Sequence, residues 1–302
     1  MDRNSVLAFL LIAIIILLMP EYYKMVYPDA QLSDSTETII NQNSTTQPDK
    51  TPPPSLEELE IDNDEEFISF DVQTNLYKAT VSNENGGAFT FYELNNYALN
   101  DSELVNLIDK SNRQNLGVSF RSIDGDLINL STGWKTTNQY DISVFSSSKT
   151  VSFYKTIENK RISKEITFYP DRYVVDIKTN LSEASDIISQ NVASISWPKG
   201  LPLTEPNRKD ELTYYSAVVY QGDESYYPKA KARGQESIEK MLYPTDWVGI
   251  RTKYFFSAFV PEVKASGAEV LAVEEGETKE YSVGLLFNTL SPFNTRLYLG
   301  PL

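Results

Sequence analysis

The chain has 302 residues, a formal net charge of −15 and neither cysteine nor histidine. That charge opposes contact with nucleic-acid phosphates or anionic lipid surfaces over most of the molecule, so nucleic acid is not an expected partner. Without thiols or imidazoles there is no disulfide, thiolate zinc site, lipid-attachment cysteine or histidine base, and any enzymatic chemistry must run on carboxylates, lysine or tyrosine.

The first element is an unbroken apolar run behind Met1-Asp2-Arg3-Asn4-Ser5. It comprises Val6, Leu7, Phe9, Leu10, Leu11, Ile12, Ile14, Ile15, Ile16, Leu17, Leu18 and Met19, with Ala8 and Ala13 between them, and Pro20 closes it. Alone it is shorter than the ~30 Å hydrocarbon core, but counted on to Tyr27 it is long enough to span. Pro20, Glu21, Tyr22 and Tyr23 offer no small-residue cleavage site, so residues 1–27 are expected to remain as a signal-anchor transmembrane segment. Tyr22, Tyr23 and Tyr27 suit the headgroup belt. Arg3 and Lys24 place one basic side chain on each flank, and the free amine tips the N-terminus toward the cytoplasm.

Residues 28–66 read as a polar disordered linker, rich in Ser, Thr, Asn, Gln and Pro, that cannot bury enough apolar area to fold. Pro52-Pro53-Pro54 stiffens part of it, and Ser55 with Glu58 has capping-box spacing ahead of a short helix. The acidic run Asp62-Asn63-Asp64-Glu65-Glu66 departs from a calcium-binding loop, because Phe67 stands where the sixth-position glycine is required; it reads as solvated linker.

From Phe67 to Leu302 the pattern is that of successive strands, and the 19 tyrosines and 14 phenylalanines favour pleated surfaces. Leu76–Val81, Asn85-Gly86-Gly87 and Ala88–Tyr92 make a hairpin signal, the glycines supplying positive φ. Lys149–Ile157 alternates through Val151, Phe153 and Ile157. Ile162, Ile166 and Phe168 line one face of the next strand, and Tyr173, Val175 and Ile177 one face of the strand after. Further strands are expected at Leu212–Tyr220, Trp247–Arg251, Tyr254–Val260, Ala268–Val273, Glu280–Phe287 and Thr295–Leu299, with a short helical turn at Ser237–Leu242. The economical architecture is all-β, a large antiparallel sandwich, and no fixed-period repeat is present.

No catalytic, cofactor-binding or metal-ligating residue is assigned. Trp134, Trp197 and Trp247 are read as core or rim residues, with stacking on a glycan as the alternative. Asp124-Gly125-Asp126 is turn chemistry before it is a cation loop. The stretch Trp197–Leu203, with Tyr214-Tyr215 and Tyr226-Tyr227, fits either buried strand packing or an exposed partner patch.

Three groups of residues carry a family resemblance: the opening Met1-Asp2-Arg3-Asn4 with its anchor and tether; Lys164-Glu165-Ile166-Thr167-Phe168 followed by Tyr173-Val174-Val175-Asp176; and Trp247–Arg251 with Tyr254–Pro261, then Thr295–Pro301. Together the chain resembles the front half of the YidC membrane protein insertases. The resemblance implies a periplasmic β-supersandwich of galactose-mutarotase-like type on an inner-membrane anchor, working with Sec translocon components, SecDF-type subunits among them, and with nascent membrane proteins. It also implies a continuation past Leu302 into the insertase core, whose polar groove is not in this chain. By this reading residues 1–27 anchor the chain and residues 67–302 are its periplasmic interaction domain, and the chain is not an enzyme. A membrane-anchored carbohydrate-binding or carbohydrate-active sandwich is the alternative, although a mutarotase mechanism needs the histidine that is missing here; a structural spacer or adhesin is a third possibility.

Overall fold

The structure, a computed structural model, describes residues 67–231 and 236–302. The anchor residues Val6–Met19, the linker and the Ser55–Glu58 cap lie outside them. The strands in chain order are β1 (Ser69–Thr74), β2 (Tyr77–Ser82), β3 (Ala88–Ala98), β4 (Leu104–Asn106), β5 (Gly117–Ser122), β6 (Leu127–Asn129), β7 (Lys135–Thr136), β8 (Ile142–Val144), β9 (Lys149–Ile157) and β10 (Lys160–Phe168). There follow β11 (Val174–Asn180), β12 (Ile188–Trp197), β13 (Ser216–Gln221), β14 (Glu224–Tyr226), β15 (Ser237–Met241), β16 (Thr245–Arg251), β17 (Phe255–Pro261), β18 (Gly267–Glu275), β19 (Thr278–Asn288) and β20 (Phe293–Pro301). One short helix, α1 (Arg208–Glu211), precedes β13. Among the described residues no helix is long and apolar enough to cross a membrane.

The strands form three sheets, ordered β4-β3-β2-β1-β8, β14-β13-β16-β17-β20-β11-β10-β9-β7 and β15-β18-β19-β12-β5-β6. Ladders are antiparallel throughout, apart from the parallel pairing of β1 with β8 at Val72↔Ile142. Period-two alternation turns one face of the nine-stranded sheet inward, with Phe153, Ile162, Ile166, Phe168, Val175, Ile177, Val219, Val248, Ile250, Phe259, Leu297 and Leu299 all buried. One half of that face meets the five-stranded sheet, where Phe168 lies edge-on to Phe89 at 6.3 Å. The other half meets the six-stranded sheet, β16 lying against β19. The all-β expectation holds; the strands form three hydrogen-bonded sheets, one large layer covering two smaller ones.

The Asn85-Gly86-Gly87 signal is a turn with φ of 53°, 67° and 112°. A Cβ on Gly87 would fall 2.4 Å from Ile166 Cδ1, so the turn is pressed into the core as well as left-handed. Ser237–Leu242 is a correction: it forms β15, an edge strand paired with β18 from Ser237↔Ala272 to Met241↔Ala268. Ile238, Met241 and Leu242 have helical spacing, but a ladder along β18 satisfies more backbone groups than one isolated helical turn can.

Asparagines crowd the junction of the sheets. Asn115 donates to the carbonyls of Phe89 (2.8 Å) and Asn112 (2.7 Å), and its own Oδ1 accepts from Phe89 N at 2.9 Å. Asn112 donates to Leu107 O and Gly200 O, and Asn83 to Trp134 O. At the centre stands Lys164, on the inward face of β10 and 0% exposed. Its Nζ donates to Leu116 O at 2.6 Å and Asn85 O at 3.0 Å. Both acceptor residues are in the left-handed region, with φ of 57° and 53°. Burial pulls the amine down from 10.5 to about 7.

Between those values the unfolded chain binds more protons than the folded one, so the penalty is full below about pH 7 and is relieved as pH rises toward 10.5. Denaturant midpoints are expected to climb from pH 7 to about pH 9.5, below the range where the buried, upward-shifted phenols of Tyr77 and Tyr215 begin to oppose the trend. Lys164→Met should flatten that climb. At pH 9.5 it should lose about 1–3 kcal/mol through the two abandoned carbonyls, while near pH 6 it should be no less stable than the parent, since a buried cation is gone.

Candidate interaction surface

The outer face of the nine-stranded sheet carries the candidate site. The stretches that resemble the family, Lys164–Phe168, Val174–Asp176, Trp247–Arg251, Phe255–Pro261 and Thr295–Pro301, fall on β10, β11, β16, β17 and β20. These are five consecutive neighbours of one sheet. Their inward residues build the core, and the residues between them point away from it.

Outward positions on β13, β16, β17 and β20 set a row of half-buried rings across the sheet. Tyr220 stacks on Trp247 at 5.6 Å, Trp247 meets Phe256 edge-on at 5.8 Å, and Phe256 lies 6.4 Å from Tyr298. Register sets the row, through the pairs Tyr220↔Trp247, Arg251↔Phe256 and Phe256↔Gly300. Gly249 leaves room for it: a Cβ there would lie 2.7 Å from Phe256 Cζ and 2.6 Å from Ser257 O. Arg251 shares this face, and its Nε is buried without a hydrogen-bond acceptor among the described residues.

Toward β11 and β10 the face becomes a polar cleft of about 240 Å³. Arg296 lies 3.7 Å from Asp176, Lys178 lies 3.9 Å from Glu165, and Asn294 donates to Glu262 at 2.7 Å. The hydroxyl of Tyr169 donates to Asp176 at 2.6 Å, which holds that phenol above its ordinary range. These pairs are largely exposed, so they set charge pattern more than stability. Among the described residues no cluster of three or more carboxylates is arranged to hold a metal ion. The arrangement suits recognition, with apolar rings at one end and paired charges at the other.

The remaining sequence candidates separate. Trp134 and Trp197 are core residues, their indole N–H groups donating to Leu130 O and Gly200 O. Trp247 alone reaches the surface row. Asp124-Gly125-Asp126 is the β5–β6 turn, with Gly125 at φ 96° and its N–H on Ser122 O. Around Trp197–Leu203 both readings apply to different residues. Leu201 and Tyr215 are buried, the Tyr215 hydroxyl accepting from Leu201 N, whereas Tyr214, Tyr226 and Tyr227 are exposed. Pro202, Leu203 and Leu212 line a second groove of about 700 Å³. Glu211, the last residue of α1, is buried and accepts from Glu205 N at 2.9 Å. Arg251 had no sequence signal beyond its place in an alternating strand.

Residues 69–302 match the sequence profile of the YidC periplasmic domain. The chain is 26% identical to the membrane protein insertase YidC of Syntrophus aciditrophicus, over all of this chain and 59% of that protein. It is 25% identical to that of Chlorobaculum parvum, over all of this chain and 54% of that protein. The chain thus spans a little over half the length of these curated relatives. Among solved structures, α-galactosidase AgaA of Geobacillus stearothermophilus in complex with stachyose aligns with a TM-score of 0.39 at 7% identity, covering 76% of this chain and 40% of that one. The 4-α-glucanotransferase of Thermococcus litoralis aligns at 0.38 and 9% identity, over 79% and 40%. Likeness at that level bears no functional argument.

Gly249→Ala is expected to lower stability by about 1–3 kcal/mol, because Ser257 O is backbone and cannot yield. A denaturant titration followed by tryptophan emission reads it, and an unchanged midpoint would show that the ring row tolerates a methyl group there.

Proposed function

The chain belongs to the YidC family, and from that premise we propose that it is the anchor and periplasmic interaction part of a membrane protein insertase and chaperone. The carrying observation is the profile match over residues 69–302, nearly the whole of the described fold. Residues Val6–Met19 would hold the chain in the inner membrane with the N-terminus in the cytoplasm, residues 28–66 would tether it, and residues 67–302 would sit in the periplasm. The apolar run and the polar composition of the tether support that layout.

In this reading the domain performs no bond-making chemistry. It presents its outer sheet face to translocon components, SecDF-type subunits among them, or to membrane proteins being inserted. Insertion itself needs a polar cavity shielded by several helices, which one apolar run cannot build. The aromatic row and adjoining charged cleft give the face the residue types that dominate protein–protein contacts.

Pull-down of Sec components with the tagged chain, against a variant lacking residues 67–302, checks the docking role. Recovery should fall at least about tenfold on deletion, a difference of ~1.4 kcal/mol in binding. Undiminished recovery would leave the anchor, and not the β domain, as the point of contact.

A further inference from the structure

We propose that Lys164 latches residues 109–116 to the junction of the sheets, and that a proton gained by its amine lets this segment open locally, carrying with it one wall of the groove beside Pro202 and Leu203. The proposal concerns the interior of the fold and is independent of which partner the outer face meets.

Residues 109–116 lie between β4 and β5 and belong to neither strand. Side chains hold them in place of a ladder. Asn112 accepts from Asp109 N at 2.8 Å, Asn115 donates to Asn112 O at 2.7 Å, and Asn115 and Phe89 of β3 exchange two bonds. At one end of this network Lys164 Nζ bonds Leu116 O at 2.6 Å and Asn85 O at 3.0 Å, and the side chain of Asn85 reaches Asn115 O at 3.3 Å. At the other end Asn112 donates to Gly200 O at 2.9 Å, and Asp109 and Ser111 line the groove of about 700 Å³ together with Leu201, Pro202 and Leu203. A run of hydrogen bonds therefore joins the buried amine to the wall of the groove. Five of the eight residues are exposed, and Leu116 is the one buried apolar side chain among them, so the segment leaves its seat with little apolar surface uncovered.

The amine is placed so that a charge on it has nothing to answer it. Its in-register neighbours are Phe153 on β9 and Thr179 on β11. Of the charged residues on the elements around it, Glu84 accepts from Gln114, Lys155 donates to Thr132 O, and Asp109, Lys110 and Arg113 are exposed. Burial alone lowers the amine. A proton adds a third N–H that finds no acceptor among the described residues, and a cation without a counter-ion. Water admitted where residues 109–116 part from the junction relieves both. The chain has neither His nor Cys, so Lys164 stands alone among its described side chains in being drawn to neutral pH by its surroundings where no side chain titrates by its ordinary nature.

The test is amide hydrogen exchange of the full chain in detergent micelles, read by mass spectrometry at pH 6, 7 and 8, corrected for intrinsic rates and repeated at low urea concentrations. Peptides covering residues 109–116 and Phe89, whose N–H rests on Asn115 Oδ1, should open about fivefold more at pH 7 than at pH 8, and less than about twofold more again at pH 6, because the closed amine itself takes up its proton near 7. This opening should be insensitive to urea, as local opening is, whereas the β18–β19 hairpin should open with the steep urea dependence of global unfolding. Lys164→Met should abolish the pH slope although the N-terminal amine, which also titrates in this range, is retained. Equal opening at the three pH values overturns the proposal in the parent chain without any variant. So does opening that follows urea as steeply as that of the β18–β19 hairpin, or a slope that survives in Lys164→Met.

Discussion

A single buried amine holds the three sheets in common. Lys164 belongs to β10 of the nine-stranded sheet, Asn85 to the turn between β2 and β3 of the five-stranded sheet, and Leu116 leads directly into β5 of the six-stranded one. One Nζ bonds the carbonyls of the last two. Both acceptors have left-handed backbones, which asparagine takes readily but leucine rarely, so the carbonyl of Leu116 is presented from a conformation that its packed surroundings must hold. An apolar side chain at 164 would fill the same space, yet leave both oxygens without donors. A permanently charged one would carry its full desolvation penalty. A lysine that can shed its proton avoids both extremes, and a neutral amine still has two N–H groups for two carbonyls.

With the junction fixed from within, the large sheet is free to use its other side. Alternation does the sorting. Along β10 the inward residues are Ile162, Lys164, Ile166 and Phe168, while Glu165 and Thr167 face outward into the cleft. Along β20 the inward Leu297 and Leu299 flank Tyr298, which ends the ring row. Each of these strands thus builds the core with one side and the ring row or charged cleft with the other. This is why the segments that resemble the family most are contiguous in space although they are scattered over the chain. The link from sequence to function passes through register, since a slip of one residue would bury the rings and expose the core.

Much of this was legible in the residues. The strands of strict alternation, β9, β10 and β16 to β20, were expected close to where they stand, because long two-residue periods admit one reading. Lys164 was not singled out: it shares the parity of Ile162, Ile166 and Phe168, but a long lysine stem can equally carry its amine out to solvent, and only the packed sheets show it buried. What escaped were strands too short to show a period, such as β4, β6, β7 and β8, but also β1, β5 and the ten-residue β12, whose alternation is broken by a bulge with positive φ at Gln190 and Asn191, and β15, whose apolar spacing suits helix and strand alike. β13 began later than expected because Leu212–Tyr215 continues from the end of α1. The ring row could not be read at all. Its members come from four separate stretches, and only the pairing of β13, β16, β17 and β20 brings them within stacking distance.

The borders of the sheets have a consequence of their own. Among the described residues the outermost strands β4, β8, β14, β7 and β6 have three residues or fewer, and only β15 is longer. Long rows of idle amide and carbonyl groups at a sheet margin let any extended polypeptide zip onto them and stay. Clipped margins deny that route. What the sheets present to their surroundings is therefore side chains on the broad flat of the large sheet, and not open backbone.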